Sequence, residues 1–208
     1  MNRIIAIDGT CASGKGLLSK NLSGKLGLPH LNTGALYRNI ALFLYKNGFD
    51  CENRETVIAN LGRISFDDLE NLELFGENVG NIASKISAIP EVRDFLYKFQ
   101  KDFSSNKSGA ILDGRDIGTV ICPEAGHKFF VNAAVEIRAE RRYREMIKNG
   151  LKTSYDEVLE KIKQRDQSDY ERKTAPLKKA KDAIEIDTTR MTPGEVLNFA
   201  LEHINLQK

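Results

Sequence analysis

Gly9-Thr10-Cys11-Ala12-Ser13-Gly14-Lys15-Gly16 combines residue types and a spacing that can do phosphate chemistry. Glycines let backbone N–H groups turn inward around phosphate oxygens, a following helix N-terminus adds partial positive charge, and Lys15 can reach the outer phosphates as a point charge. The run from Arg3 to Ile7 ahead of it reads as a strand, and Leu18, Leu22 and Leu26 behind it repeat every four residues as one helix stripe. Strand, glycine turn, lysine and helix together make a phosphate-binding loop. A turn that binds nothing would satisfy one of these constraints rather than all of them. The loop, Gly9 through Leu17, therefore expects a nucleoside triphosphate. One feature departs from the general pattern, in which Ser or Thr after the lysine holds magnesium. Here Gly16 and Leu17 follow, so the metal ligands are left unassigned. Cys11 could have its thiol pKa lowered by the lysine and helix, or be only a small side chain tolerated in a tight turn.

A second group of chemistry-bearing residues lies at Arg165-Asp166-Gln167-Ser168-Asp169-Tyr170-Glu171-Arg172. On a continuing helix Arg165, Asp169 and Arg172 share one face. By charge pattern alone this is an exposed helix laced with ion pairs. Beside a phosphate loop it becomes a candidate lid, because phosphoryl transfer needs cations and guanidinium forks suit that task. Arg38, Arg93 and Arg115 could each be ordinary surface arginines, yet together they suggest an anionic acceptor. Asp116, next to Arg115, would repel an anion unless it accepts a hydrogen bond from a substrate amine, as on a nucleobase.

The elements that must position these residues alternate. Residues 29–31 can form a second strand, and Asn32-Thr33-Gly34 caps a helix through Leu36, Ile40 and Leu44 to Gly48. A helical stretch at residues 55–61 follows. Residues 63–79 show short alternations, Ile64/Phe66 and Leu72/Leu74, which predict a small hairpin-like insert. Helical spacing resumes at Ile82, Ala83 and Ile86, and Pro90 suits the first turn of the next helix. Ala110-Ile111-Leu112 and Lys128-Phe129-Phe130-Val131 read as buried central strands. A charged helix covers residues 135–148, Ser154 caps another, residues 183–187 give a last strand, and Pro193 opens the final helix. Strands alternating with helices imply an α/β fold with a parallel sheet flanked by helices. Ligands of such sheets bind beyond the carboxyl ends of the strands, where Gly9, Asn32 and residues 113–116 fall.

With 208 residues, 41% hydrophobic and 29% charged, the chain can build one sizeable core with small excursions. A net charge of +2 with interspersed signs argues against a dedicated polyanion surface, although residues 172–181 are locally basic. No nucleic-acid or membrane partner is expected. The first apolar run is too short for a signal peptide. Three unpaired cysteines without metal-ligand spacing fit a reducing compartment, so the expected location is cytoplasmic.

From the first strand to the last helix the chain resembles bacterial cytidylate kinases among the nucleoside monophosphate kinases. The resemblance is carried by the Gly-Lys-Gly phosphate loop, by Asn32-Thr33-Gly34 with Tyr37-Arg38, and by Ala83-Ser84 with Pro90-Glu91-Val92-Arg93. Asp113-Gly114-Arg115-Asp116 and the Arg165 to Arg172 segment complete it. Adenylate kinases would instead show Asp-Gly-Phe-Pro-Arg at the fourth motif. The resemblance implies a single P-loop kinase domain over residues 1–208, with a monophosphate-binding insert at about 33–100 and a short lid at about 165–176. It implies that Thr33 and Arg38 hold the acceptor phosphate region and that Ser84, Arg93 and Asp116 read cytosine. Arg165, Asp169 and Arg172 would contact ribose and phosphates, Arg115 would assist the phosphates, and Lys15, Arg115, Arg165 and Arg172 would be catalytic. The chain departs from the family at Asn32 (usually Asp), Thr33 (usually Ser), Ala12 (usually Gly), Leu17 and a short insert at 63–79.

The expected activity is transfer of the γ-phosphoryl of MgATP to CMP or dCMP by a monomeric enzyme. Alternatives are a kinase for UMP or another monophosphate or a non-nucleotide acceptor, a nucleotide-binding switch, and a nucleic-acid module using the basic stretch near Lys178. A guanine-reading Asn-Lys-x-Asp is missing, since Asn106-Lys107-Ser108-Gly109 fails at its last position.

Overall fold

The runs richest in isoleucine and valine become the buried strands of one sheet, as β-branched side chains favour a pleated surface covered on both faces. In the computed structural model, which describes residues 3–206, the strands are β1 (Ile4–Gly9), β2 (His30–Asn32), β3 (Ala110–Gly114), β4 (His127–Asn132) and β5 (Ile184–Asp187). Their spatial order is β2-β3-β1-β4-β5. β1 runs parallel to β3 and β4, and β4 parallel to β5, with Ile7 opposite both Asp113 and Phe129. Parallel register sets the carboxyl ends of β1, β3 and β4 on one edge, so Gly9, Gly114 and Asn132 finish side by side.

The helices are α1 (Lys15–Leu26), α2 (Thr33–Lys46), α3 (Arg54–Asn60), α4 (Glu77–Ile86), α5 (Pro90–Ser104), α6 (Val135–Lys148), α7 (Tyr155–Glu171) and α8 (Pro193–Leu206). α1 is bracketed by two glycines in the left-handed region, Gly14 at φ 92° and Gly27 at φ 64°. It packs Leu18 and Leu22 with Ile5, Phe129 and Val131 of the sheet and Ala200 of α8. α6 and α7 form an antiparallel pair around Ala139, Met146, Val158 and Ile162, against which Ala12 also rests. Ser154 and Glu157 start α7 with a reciprocal capping box.

The chain divides into two compact units, one of residues up to Leu31 together with those from Ser104 onward, the other of Asn32–Phe103. The first holds the sheet core. In the second, the Asn32 side chain accepts the Ala35 N–H at 3.2 Å to start α2, which packs on α4. The hairpin expected at residues 63–79 is absent. Tight 3-10 turns at Leu61–Arg63 and Leu72–Phe75 replace it, and Val79 already belongs to α4. The physical reason shows at Phe66, which found helical rather than strand partners. Phe66 packs against Phe95 and Phe99 of α5, with ring centroids 6.2 and 5.2 Å apart, and the Asn71 side chain accepts the Glu73 N–H to nucleate the second turn. Alternation over so few residues lacks a ladder to satisfy its backbone groups.

Candidate active site

The phosphate loop is built by close packing at one end and by free conformation at the other. A Cβ on Gly9 would lie 1.9 Å from the Val131 carbonyl oxygen, so only glycine lets β1 run beside β4 into the turn. Ala12 is held at φ 57°. That conformation costs a non-glycine residue roughly 1–2 kcal/mol. Two long-range bonds pin the loop. Thr10 Oγ1 donates to Asn132 Oδ1 at 2.7 Å, and Thr188 Oγ1 donates to the Ser13 carbonyl at 2.9 Å. The buried Ser13 hydroxyl has no hydrogen-bond partner among the described residues, leaving a polar group within the loop unsatisfied by protein.

Lys15 opens α1, and its Nζ donates to the Thr10 carbonyl at 3.0 Å. Burial, and then the nearby Arg115 guanidinium, pull its ammonium down to about 8. Burial pushes the Cys11 thiol up, but Arg165, Arg115 and Lys15 outweigh it and leave the thiol below its ordinary value. Three cations thus act on one loop residue. Such a concentration of positive charge in a partly buried place is costly unless an anion joins it.

Asp169, on the last turns of α7, organises the arginines. Arg115 Nε donates to Asp169 Oδ2 at 2.6 Å, with both side chains largely buried. Burial opposes charge on Asp169, yet Arg115 and Arg165 more than offset it and hold the carboxyl below its ordinary value. α7 ends at Glu171, so Arg172 is its C-cap. There Arg172 Nε donates to the Ala175 carbonyl at 2.7 Å and its Nη2 lies 3.7 Å from Asp116 Oδ1. Lys15, Arg115, Asp116, Arg165, Asp169 and Arg172 therefore all belong to the first unit.

Thr33, Arg38, Ser84 and Arg93 belong to the second unit. Arg38 Nη1 donates to the Leu74 carbonyl at 3.0 Å, and a Cβ on Gly80 would come within 3.0 Å of the same nitrogen. Arg93 donates to the Ser87 carbonyl at 3.3 Å, and its guanidinium lies 5.9 Å from the centre of the Tyr37 ring. Thr33 is buried at the first position of α2, and Ser84 is half-buried on α4.

Several participants carry no local signature. Arg138, on the charged helix α6, is buried and donates to Asp166 Oδ2 at 2.5 Å, to the Cys11 carbonyl at 3.1 Å and to the Ala133 carbonyl at 2.8 Å. Asp166 Oδ1 in turn accepts the Cys11 N–H at 3.4 Å. This pair ties α6 and α7 to the phosphate loop. Within a helix that also holds Arg141, Arg142 and Arg144, nothing local marks Arg138 as the buried one. His30 Nε2 lies 2.6 Å from Asp113 Oδ2, a contact likewise set by strand order.

Comparison with known proteins agrees with this arrangement. The family model described as Cytidylate kinase matches residues 5–206. A cytidylate kinase of Methylocella silvestris is 47% identical over 198 residues, covering 95% of this chain and 92% of that protein. One from Fusobacterium nucleatum is 40% identical over 217 aligned residues, covering 100% of this chain and 99% of its own. Among solved structures, an uncharacterized protein from Eubacterium ventriosum matches with a TM-score of 0.57 at 15% identity over 99% of each chain. A gluconokinase from Sinorhizobium meliloti matches at 0.50 and 12% identity, over 100% of this chain and 98% of that one. These two likenesses are of fold alone. A parallel sheet opening into a glycine loop, and relatives this similar along nearly its whole length, have one reading in common: the chain belongs to the cytidylate kinase family.

Proposed function

We propose that the protein transfers the γ-phosphoryl group of ATP to the 5′-phosphate of CMP and dCMP, giving ADP and the pyrimidine diphosphate. The observation that carries this reading is the meeting of a glycine-built loop with Lys15, Arg115 and Arg165 around Cys11. Catalysis is positioning and charge neutralisation. Residues 9–17 cradle the donor phosphates. Lys15 and the arginines Arg115, Arg165 and Arg172 share the charge that spreads over the transferring group. Asp169 holds Arg115 ready, and residues 165–176 act as a lid that excludes water, since an open site would hydrolyse ATP. Thr33 and Arg38 hold the acceptor phosphate, and Ser84, Arg93 and Asp116 read cytosine. The work is done by a monomer in the cytoplasm. Among the described residues no helix is long and apolar enough to cross a membrane.

Among the described residues no group of three His, Cys, Asp or Glu side chains is placed to hold a metal, and Leu17, 49% exposed, offers no ligating atom. That fits magnesium arriving on the triphosphate, because this ion keeps waters and phosphate oxygens as ligands and needs few from protein. When bound it neutralises charge on the β- and γ-phosphate oxygens. Introducing a hydroxyl with Leu17→Thr is expected to lower several-fold the magnesium concentration giving half-maximal rate, as measured by titration at saturating substrates. An unchanged midpoint would mean that another group already serves.

The proposal is tested by ADP release across a panel of nucleoside monophosphates, with CMP and dCMP expected as the preferred acceptors. Cytosine offers an amine to Asp116, whereas uracil presents a carbonyl that leaves a carboxylate facing an acceptor. Asp116→Asn is expected to lower the CMP to UMP ratio of kcat/KM by about 10- to 100-fold, the effect of one unpaired polar group. An unaltered ratio counts against Asp116 as the base reader.

A further inference from the structure

Asp8 ends the apolar part of β1, one residue ahead of the phosphate loop, and is only 4% exposed. None of the donor or acceptor contacts proposed above uses it. Its Oδ1 accepts the Ile117 N–H at 2.8 Å and its Oδ2 the Gly118 N–H at 2.7 Å. These amides open the π-helical turn Ile117–Ile121. The first N–H groups of any helical turn have no partner within it. The later ones do: Val120 and Ile121 donate to the Asp116 carbonyl at 2.9 and 3.2 Å. The turn is therefore gripped at its head by a carboxylate from a different strand, 109 residues away in the chain. Turns of this kind are rare and concentrate at functional sites.

Asp116 immediately precedes the gripped amides, 6% exposed, with φ −141° and ψ 22°. We infer that Asp8 is a positioning residue for acceptor choice: by fixing the Ile117 and Gly118 amides it fixes the backbone that carries Asp116, and so sets the place of the Asp116 carboxylate. The inference rests on the reading of Asp116 as the group that recognises cytosine.

Two further observations support a role beyond filling space. A hydrophobic side chain would be the simpler occupant of so buried a place, and a carboxylate there needs a reason. Burial, helped by the like charge of Asp116, pushes the Asp8 carboxyl up to about 7, while the Gly118 and Ile117 amides and Arg115 hold it down. The space beside Gly118 is closed as well. A Cβ on Gly118 would lie 3.2 Å from Lys128 Cδ and 3.4 Å from Asp8 Oδ2. Lys128 is itself fixed by bonds to the Pro123 carbonyl at 2.5 Å and to Asp182 at 2.7 Å. The Asp8 carboxylate and the Lys128 stem thus close over the same side of Gly118, leaving the head of the turn little room to move that way.

The test is Asp8→Asn, which keeps the shape but sets an amide N–H₂ against one of the two backbone N–H groups. The kcat/KM for CMP and UMP, the KM for ATP and urea unfolding are measured on the same preparations. The expected result is a fall in the CMP to UMP ratio of about tenfold or more, with the KM for ATP changed by less than about twofold. A merely structural role would lower stability without moving that ratio. Gly118→Ala, whose added methyl would crowd both Asp8 Oδ2 and the Lys128 stem, is expected to move the ratio in the same direction and serves if Asp8→Asn does not fold. A ratio unchanged in the folded variants, beside a wild type that prefers CMP, overturns the inference alone. A wild type without preference for CMP overturns the reading of Asp116 and the inference with it.

Discussion

Lys15→Ala is expected to lower kcat for phosphoryl transfer by about three orders of magnitude or more, in the range seen when a cation or donor on the transferring group is removed. The fold should survive. Among the described residues the Lys15 ammonium donates to the Thr10 carbonyl, and its charge is a burden in the free enzyme, pulled down to about 8 by burial and by Arg115. Removing a buried cation from beside another relieves repulsion, so urea unfolding should show equal or greater stability. The pairing of lost turnover with retained stability is the informative result. Unchanged turnover would remove Lys15 from the donor site. The same pKa gives a pH dependence with a definite sign. In the free enzyme the ammonium loses its proton as pH rises through about 8, so kcat/KM for ATP is expected to fall above that pH. Stability moves the other way. Between about 8 and the ordinary lysine value of 10.5 the unfolded chain binds more protons at this lysine than the folded one, so stability rises with pH across that window.

Gly9→Ala is expected to destabilise the protein by about 4 kcal/mol or more, placing it among the severe single substitutions. The added methyl would meet the Val131 carbonyl oxygen at 1.9 Å and its carbonyl carbon at 2.9 Å. Neither atom belongs to a flexible side chain. Val131 is the register partner of Gly9 between the two central strands β1 and β4, so relief requires the sheet itself to part. Overpacking a well-filled interior is normally relieved by shifting side chains, and here there is none to shift. Thermal or urea unfolding measures the loss directly. A variant as stable as the parent would show that β1 and β4 do not run this closely at the mouth of the loop.

The phosphate loop was legible because its determinants are local. Gly14 must take a left-handed φ, Lys15 must follow it, and the stripe of Leu18 and Leu22 must face the sheet, all within a dozen residues. The strands and most helix limits were legible for the same reason, α6 to the residue, since a change of hydrophobic period marks each boundary. Residues 63–79 were misread because Ile64, Phe66, Leu72 and Leu74 alternate as a strand would. The packing of Phe66 on Phe95 and Phe99 shows instead that its partners are helical. Leu72 and Leu74 make the point within one short turn: the first is 86% exposed and the second fully buried.

By itself the sequence determined a parallel α/β sheet, a phosphate loop between β1 and α1, and a supply of arginines and aspartates suited to an anionic acceptor. It did so because backbone conformation and hydrophobic period are written within neighbouring residues. What the tertiary structure decided is which charges meet. Arg115 pairs with Asp169 across 54 residues, Arg138 reaches the Cys11 carbonyl across 127, and Asp8 grips Ile117 across 109. One arginine of a charged helix looks like the next until the fold buries it, as it buries Arg138 while leaving Arg144 in solvent. The parallel order of β3, β1 and β4 brings these segments to one edge, and strand order is a property of the whole sheet rather than of any stretch of the chain.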